Sequence, residues 1–211
     1  MSDAAEVWAG LGPVWQAVFD EAWTSWQAGN FGVGAVLVDP NSGAVVATGR
    51  NRVAEVPSTP GVVAGNMLAH AEINAFAAMG SFNAAGLHLY STLEPCLMCA
   101  GTAMQLKVER VHFAAFDEFY DGMADLWAAH PLTAARHPVQ VGPFVGERAP
   151  LAAFARVLPL TFTARHFPTN TAAELARRRH PQLWSLAEHL VAHPVDRGVV
   201  DAVAELWDRL G

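Results

Sequence analysis

The chain has 211 residues, of which 52% are hydrophobic and 16% charged, and its formal net charge is -7. This composition excludes a disordered chain and suits one sizeable core, or a core with an appendage. The acidic balance argues against an extensive nucleic-acid surface, which is usually basic. The sequence has no uninterrupted apolar run of about 18 residues and no basic segment followed by an apolar run at its start. We therefore expect a cytoplasmic protein with reduced thiols.

The first third of the chain predicts a helix, a hairpin and an irregular loop. In the segment 13–30, Pro13 suits a first helical position and apolar residues recur every four positions from Val14. In the segment 33–51, two β-rich runs flank the turn sequence Asp-Pro-Asn-Ser-Gly, which predicts a hairpin. The segment 52–68 contains two prolines and two glycines and predicts a loop.

From residue 69 onward, predicted helices and strands alternate. The predicted elements are a helix over 69–79, a strand over 86–92, a helix over 96–107, a strand over 110–116, a helix over 122–130, a strand over 137–144 and a helix over 149–158. This alternation predicts an α/β layered domain over residues 1–160. Residues 161–211 predict a helical C-terminal extension, interrupted at Pro168, Pro181 and Pro194.

The two cysteines, Cys96 and Cys99, are the only ones in the chain and are separated by two residues. In a reducing compartment this spacing is compatible with a redox pair, with part of a zinc site, or with ordinary core packing. Both cysteines fall on the first turn of a predicted helix, where the helix dipole and free N–H groups lower thiol pKa values. Thiolates at such a position favour redox chemistry or metal binding.

His70 and Glu72 lie at the start of another predicted helix and decide between these readings. His70 could join Cys96 and Cys99 as a third ligand, and three protein ligands with an open fourth position are typical of catalytic zinc. Water at that fourth position would ionise far more readily than bulk water. Glu72 is not needed as a ligand and could carry the proton of that water to the substrate. A redox pair would leave His70 and Glu72 unexplained.

The combined pattern His-Ala-Glu and Pro-Cys-x-x-Cys is the signature of zinc nucleobase deaminases. The chain resembles the cytidine and deoxycytidylate deaminase superfamily, and within it the branch of tRNA adenosine deaminase and bacterial guanine deaminase. The matching segments are VGAVLV, GRN, AHAE, TLEPCLMCAG and RVHFAAFD, in family order, and they extend over about residues 13–160. The resemblance implies a three-layer α-β-α fold with a five-stranded mixed sheet.

The resemblance also assigns the metal site and the proton carrier. It implies one Zn²⁺ per chain, held by His70, Cys96 and Cys99, with water or hydroxide as the fourth ligand. It assigns proton transfer to Glu72. It further implies a homo-oligomer, most simply a homodimer.

Five further positions match substrate contacts of the family. They are Asn51 after the second strand, the backbone of Ala71, Phe31 as a stacking ring, Pro95 in the loop before the cysteines, and Asp117 near the substrate. The ordinary structural roles of these residue types, such as turn formation and packing, remain open for Asn51, Phe31 and Asp117.

The choice of substrate is less determined than the chemistry. We expect a free nucleobase or nucleoside, with a guanine-type purine favoured and cytosine-type substrates next. The alternative is tRNA adenosine, but EFYDGMADLW at residues 118–127 contains three acids where the tRNA enzyme is basic, and acids there would repel phosphate. A non-catalytic, zinc-stabilised interaction module is the alternative of another class. We expect no membrane partner.

Overall fold

A mixed five-stranded sheet forms the centre of the computed structural model, which describes residues 3–57, 59–117 and 123–211. The strands are Gly34–Val38 (β1), Val45–Arg50 (β2), His88–Leu93 (β3), Arg110–Ala115 (β4) and Val139–Val141 (β5). Their order is β2-β1-β3-β4-β5. β1 is antiparallel to both of its neighbours, whereas β3, β4 and β5 are parallel. The predicted five-stranded mixed sheet is therefore confirmed.

Helices cover both faces of this sheet. They are Ala4–Ala9 (α1), Pro13–Gln27 (α2), Ala71–Ala78 (α3), Leu97–Gln105 (α4), Met123–Ala128 (α5), Pro131–Ala134 (α6), Ala149–His166 (α7), Thr171–Arg179 (α8), Pro181–Ala192 (α9) and Val199–Leu210 (α10). On one face, α3 and α4 bury apolar side chains against β1, β3 and β4. On the other face, α2 and α7 pack together over the sheet. This is the predicted three-layer α-β-α arrangement, and none of the described helices is long and apolar enough to cross a bilayer.

Two glycines let the helices approach the β1–β2 hairpin from opposite faces. A Cβ atom on Gly34 would lie 2.2 Å from the carbonyl oxygen of Val18 in α2. A Cβ atom on Gly49 would lie 2.3 Å from the carbonyl oxygen of Ala71 in α3. Real Cβ atoms do not come this close to backbone, so glycine is required at both positions. The close contact at Gly49 holds the start of α3 against the end of β2.

The C-terminal helices share a hydrophobic core with the N-terminal helices. The indole N–H of Trp26 on α2 donates to Thr161 Oγ1 at 2.9 Å, and that of Trp23 donates to the Arg197 carbonyl at 2.9 Å. α7 is continuous through residue 160 and contains Pro159 in its interior. The predicted boundary between 1–160 and 161–211 therefore does not coincide with a break in secondary structure, and that division stays a prediction.

Candidate active site

The site lies at one edge of the sheet because β2, β3 and β4 run in the same direction and end there. β3 ends three residues before Cys96, which is the N-cap residue of α4. His70 is the N-cap residue of α3, which packs against β2. Neither side chain forms a capping hydrogen bond at its helix start. Both side chains are therefore available to one another at the edge of the sheet.

The three predicted zinc ligands form one compact group. His70 Nδ1 lies 3.5 Å from Cys96 Sγ and 3.6 Å from Cys99 Sγ, and all three ligand atoms lie within 4.8 Å of one another. With ordinary Zn–N and Zn–S bond lengths, a nitrogen and a sulfur on one tetrahedral zinc are about 3.6 Å apart. The spacing and the donor set of one imidazole and two thiols both fit zinc.

The charges of the two thiols differ sharply. Hydrogen bonds from Cys99 and from His70 stabilise the Cys96 thiolate and lower the pKa of Cys96 to about 4, although burial opposes this. The hydrogen bond with Cys96, together with burial, raises the pKa of Cys99 well above its ordinary value. Burial also opposes charge on His70, but its hydrogen bond with Cys96 and the nearby Glu72 carboxylate raise its pKa. A bound cation would replace the protons that these groups hold, so zinc binding releases protons.

Glu72 lies in the first turn of α3 and is only 3% exposed. Burial and the neighbouring Cys96 thiolate raise the pKa of Glu72 to about 7. The Cys99 thiol donates to Glu72 Oε2 at 3.4 Å, so the carboxyl group touches the ligand group. It also lines the adjoining cavity. Glu72 can therefore exchange a proton with a molecule bound between that cavity and the ligands.

The cavity beside the ligand group has a volume of about 680 Å³. The sheet edge and the loops after β2, β3 and β4 form one side of it. The helical C-terminal region also lines it, with Arg156, Pro159, Leu160, Phe162, Thr163, Phe167, Asn170 and Ala172. The cavity is large enough for one nucleobase or nucleoside.

Four of the five predicted substrate-contact residues line this cavity, namely Phe31, Asn51, Ala71 and Asp117. Pro95 instead lines a separate small cavity with Glu94, Ala100, Val111, Trp127, His137 and Gln140. The structure therefore brings four of the positions together with the ligand group and leaves Pro95 outside. Their roles toward a substrate stay predictions.

Asn51 and Phe31 each have a protein partner in addition. Asn51 Oδ1 accepts from the Val53 N–H at 3.2 Å, which makes a local turn, whereas its amide nitrogen has no hydrogen-bond partner among the described residues. The Phe31 ring pairs with Phe162 of α7 at 4.1 Å between centroids. The amide nitrogen of Asn51 is thus available to a ligand, and the two phenylalanines form an aromatic wall.

Sequence reasoning missed the residues that α7 contributes. Arg156, Leu160, Thr163 and Phe167 follow one another at intervals of three or four, so they share one helix face. The predicted helix ended at residue 158, before Pro159. Continuing that spacing through the proline would have identified the face.

Comparison with known proteins identifies the region that holds the ligands. Residues 13–115 match the family model "Cytidine and deoxycytidylate deaminase zinc-binding region". The tRNA-specific adenosine deaminase of Bacillus subtilis (strain 168) is 39% identical over 102 residues. That match covers 46% of this chain and 56% of the relative, so the chain spans little more than half the length of that protein.

Solved structures share the fold. One comes from a study of A-to-I editing by tRNA:A34 deaminases and is 27% identical, with a TM-score of 0.52, covering 61% of this chain and 95% of that chain. The guanine deaminase from Nitrosomonas europaea is 21% identical, with a TM-score of 0.50, covering 78% and 87%. Because the guanine deaminase is only 21% identical to this chain, its similarity shows a shared fold alone.

Residues 13–115, just under half of the chain, therefore form the zinc-binding region of the cytidine and deoxycytidylate deaminase superfamily. Zinc is the cofactor of this region, and His70, Cys96 and Cys99 have the spacing to hold it. The family consists of deaminases, which are hydrolases acting on C–N bonds. The predicted superfamily, fold and metal are therefore confirmed.

Proposed function

We propose that the chain is a zinc-dependent hydrolytic deaminase of a free nucleobase or nucleoside, with a guanine-type purine favoured and cytosine-type substrates next. The observation that carries this proposal is the size and lining of the cavity. Phe162 and Phe167 of the C-terminal region line the same cavity of about 680 Å³ as His70, Glu72 and Cys96. That space suits one small heterocyclic molecule better than a folded RNA loop.

The reaction exchanges the exocyclic amino group of the ring for the oxygen of one water molecule. A C–O bond forms, the C–N bond breaks, and the amino group leaves as ammonia. When bound, zinc supplies the positive charge that lets water lose a proton near neutral pH. Glu72 accepts that proton and delivers it to the ring nitrogen beside the reacting carbon, and it then carries the remaining proton of the added hydroxyl group to the amino group, which leaves as ammonia. The same carboxyl group thus serves first as a base and then as an acid.

The remaining cavity residues hold and orient the ring. Phe31 and Phe162 offer aromatic surface on which a heterocycle can stack. The amide nitrogen of Asn51 can donate to an acceptor at the edge of the ring. The backbone at Ala71, which adjoins the ligand His70, offers a further polar contact. These contacts place the amino-bearing carbon beside the metal and Glu72.

Charge around the cavity supports a small neutral substrate. Glu72, Glu94 and Asp117 line the cavity, whereas Arg156 is the single arginine among its described lining residues. Arg50 and Arg52, which lie near the end of β2, are paired with Glu55. A surface for tRNA needs several cations directed at phosphates. The predicted acids Glu118 and Asp121 lie outside the described residues.

A tRNA adenosine deaminase is the second candidate, and the identity of 39% over 102 residues with the Bacillus subtilis enzyme favours it. The same metal site and the same Glu72 would serve that reaction. A non-catalytic zinc module is the third candidate, but a buried carboxyl group in contact with a zinc ligand has no structural need in such a module. The proposal also includes assembly as a homodimer in the cytoplasm. Sedimentation would test the dimer.

Ammonia release by the zinc-loaded protein tests the proposal. The panel holds guanine, adenine, cytosine, their nucleosides, and a tRNA anticodon stem-loop containing adenosine. We expect turnover of guanine or another free base or nucleoside. Turnover of the stem-loop alone would replace the proposal by the tRNA reading, and absence of any turnover by protein with one zinc per chain would favour the interaction module.

A further inference from the structure

One buried hydroxyl group joins the turn after α2 to the residue that follows β2. Ser25 lies in the last turn of α2 and is completely buried. Its Oγ lies 2.6 Å from the Phe31 carbonyl oxygen and 2.8 Å from the Asn51 carbonyl oxygen. Phe31 and Asn51 line the cavity, whereas Ser25 is not among its described lining residues. A side chain outside the cavity therefore contacts the backbone of two cavity residues that are distant in sequence.

The two carbonyl groups depend on this hydroxyl to different extents. A serine hydroxyl has one proton to donate, so the two carbonyls share it. The Phe31 carbonyl also accepts from the Val33 N–H at 2.8 Å. Among the described residues, Ser25 is the one donor to the Asn51 carbonyl. Because Asn51 is buried and a buried carbonyl without a donor is costly, Asn51 depends on Ser25 more than Phe31 does.

The turn that contains Phe31 is also held by contacts with α7. A Cβ atom on Gly32 would lie 2.5 Å from Leu158 Cβ, so this turn packs directly against that helix. The Phe31 ring pairs with Phe162 of the same helix. Phe31 therefore keeps other contacts when the hydroxyl of Ser25 is removed.

The backbone of Asn51 is held at both of its peptide groups by the segment 25–33. Its carbonyl accepts from Ser25, and its N–H donates to the Val33 carbonyl at 3.0 Å. Beyond it, the buried Asn30 accepts from the Ala54 N–H through Oδ1 at 2.8 Å. The place of the Asn51 side chain in the cavity therefore depends on the end of α2 and the turn after it, whereas α3 and α4 carry the metal ligands.

We propose that Ser25 is a positioning residue, which fixes Asn51 through its backbone carbonyl so that the Asn51 amide meets the bound ring at a constant place. This inference rests on the proposed function, because it takes the cavity as the substrate site. It deepens that function by extending the binding machinery to a residue of α2 that contacts neither the substrate nor the metal.

Steady-state kinetics of the zinc-loaded protein with guanine test the proposal. In Ser25→Ala, KM should rise about 3- to 10-fold, the effect of losing one neutral hydrogen bond to the ring, while kcat changes less than about twofold. When Ser25→Ala is added to Asn51→Ala, KM should change less than about twofold, because the side chain through which Ser25 acts is already gone. Zinc content should stay at one per chain in all three variants.

Two controls separate positioning from a general loss of stability. Thr24→Ala removes an exposed hydroxyl from the neighbouring position of α2 and should leave both KM and Tm unchanged. Val203→Ala, at a buried position of α10, should lower Tm but leave KM unchanged. If Ser25→Ala does not unfold cooperatively, Ser25→Cys, which keeps a weak donor, decides by the same comparison with and without Asn51→Ala.

The outcomes separate this inference from the proposed function. An unchanged KM in Ser25→Ala, or an equal rise in KM with and without the Asn51 side chain, would overturn the inference alone if the unsubstituted protein deaminates guanine. Turnover of the tRNA stem-loop alone would overturn the proposed function, and the same set of variants measured on the stem-loop would then decide whether Ser25 acts through Asn51. Absence of any turnover by protein with one zinc per chain would overturn both.

Discussion

The two sides of the cavity are built on different principles. Residues 70–99 supply the metal ligands and Glu72 from two helix starts, whereas residues 156–172 line the cavity from α7, the following turn and the start of α8. The first side falls within the family match and the second does not. A metal site needs its ligand atoms at fixed separations, but a wall needs only a suitable shape and charge. The metal ligands therefore lie within the family match, whereas part of the cavity lining lies outside it.

The largest effect should come from Cys96→Ser, which removes a zinc ligand from the first side of the cavity. This variant should lose zinc and all measurable turnover, because two protein ligands hold zinc far less tightly than three. It should also unfold at a lower temperature, since the metal joins the starts of α3 and α4. Metal analysis and thermal unfolding check this, with Met98→Leu on the same helix as the control. A full zinc content in Cys96→Ser would contradict the site.

Glu72→Gln should separate metal binding from proton transfer on the same side. Because glutamine has the same shape but cannot carry the proton, we expect kcat to fall about 10²- to 10⁴-fold while one zinc per chain remains. Steady-state kinetics and metal analysis on one preparation would measure both. Loss of zinc from this variant would mean that Glu72 is a ligand.

Phe162→Ala, on the second side of the cavity, should weaken substrate binding without slowing the chemical step. Removing this ring takes away the partner of Phe31, so KM should rise about three- to tenfold with little change in kcat. The free energy of unfolding should fall by about 2 kcal/mol, since the ring is partly buried. Phe82→Ala, where the ring is 96% exposed, is the control. A fall in kcat as large as that of Glu72→Gln would show that the two sides do not act independently.

The smallest effect concerns the sheet that joins the two sides. His112 stacks on Tyr90 at 4.3 Å, and burial followed by the charges of His88 and Arg110 lowers the pKa of His112 to about 4. In the unfolded chain His112 therefore binds a proton near pH 6.5, whereas in the folded chain it stays neutral until the pH approaches 4. The stability that His112 contributes should be complete above pH 6.5 and should decline as the pH falls toward 4.

Urea midpoints at pH 7 and pH 5 would measure this decline. His112→Gln should reduce the difference between the two midpoints, because glutamine takes up no proton in either state. His166→Gln, at an exposed position of α7, should leave it closer to that of the unsubstituted protein. An unchanged difference in His112→Gln would contradict the assignment.

The same division explains which parts of the protein the sequence predicts. His70, Glu72 and the two cysteines stand in short patterns whose chemistry constrains their spacing, so their assembly into one group could be predicted. The β1–β2 hairpin also has a strong local signal in its turn. By contrast, α1 is only six residues long and too short for a hydrophobic period to emerge.

The contribution of residues 156–172 to the cavity could not be predicted, because it depends on contacts with residues distant in sequence. Pro159 removes a backbone donor and normally ends a helix, yet α7 continues to His166. Leu160, Thr161 and Thr163 are buried beyond the proline, and this packing offsets the missing hydrogen bond. The contact of Phe162 with Phe31, which is distant in sequence, places this segment at the cavity.

The N-cap positions of α3 and α4 set a limit on how far this protein can be stabilised. Elsewhere in the chain Asp3 and Asn170 cap their helices through side-chain oxygens, whereas His70 and Cys96 make no such bond. In the zinc-free protein, replacing either by serine, aspartate or asparagine would improve helix capping by about 1 kcal/mol, but it would remove a metal ligand. Stability without zinc and stability with zinc therefore favour different residues at these two positions, and a library sorted for the stability of the zinc-free protein would lose the metal site.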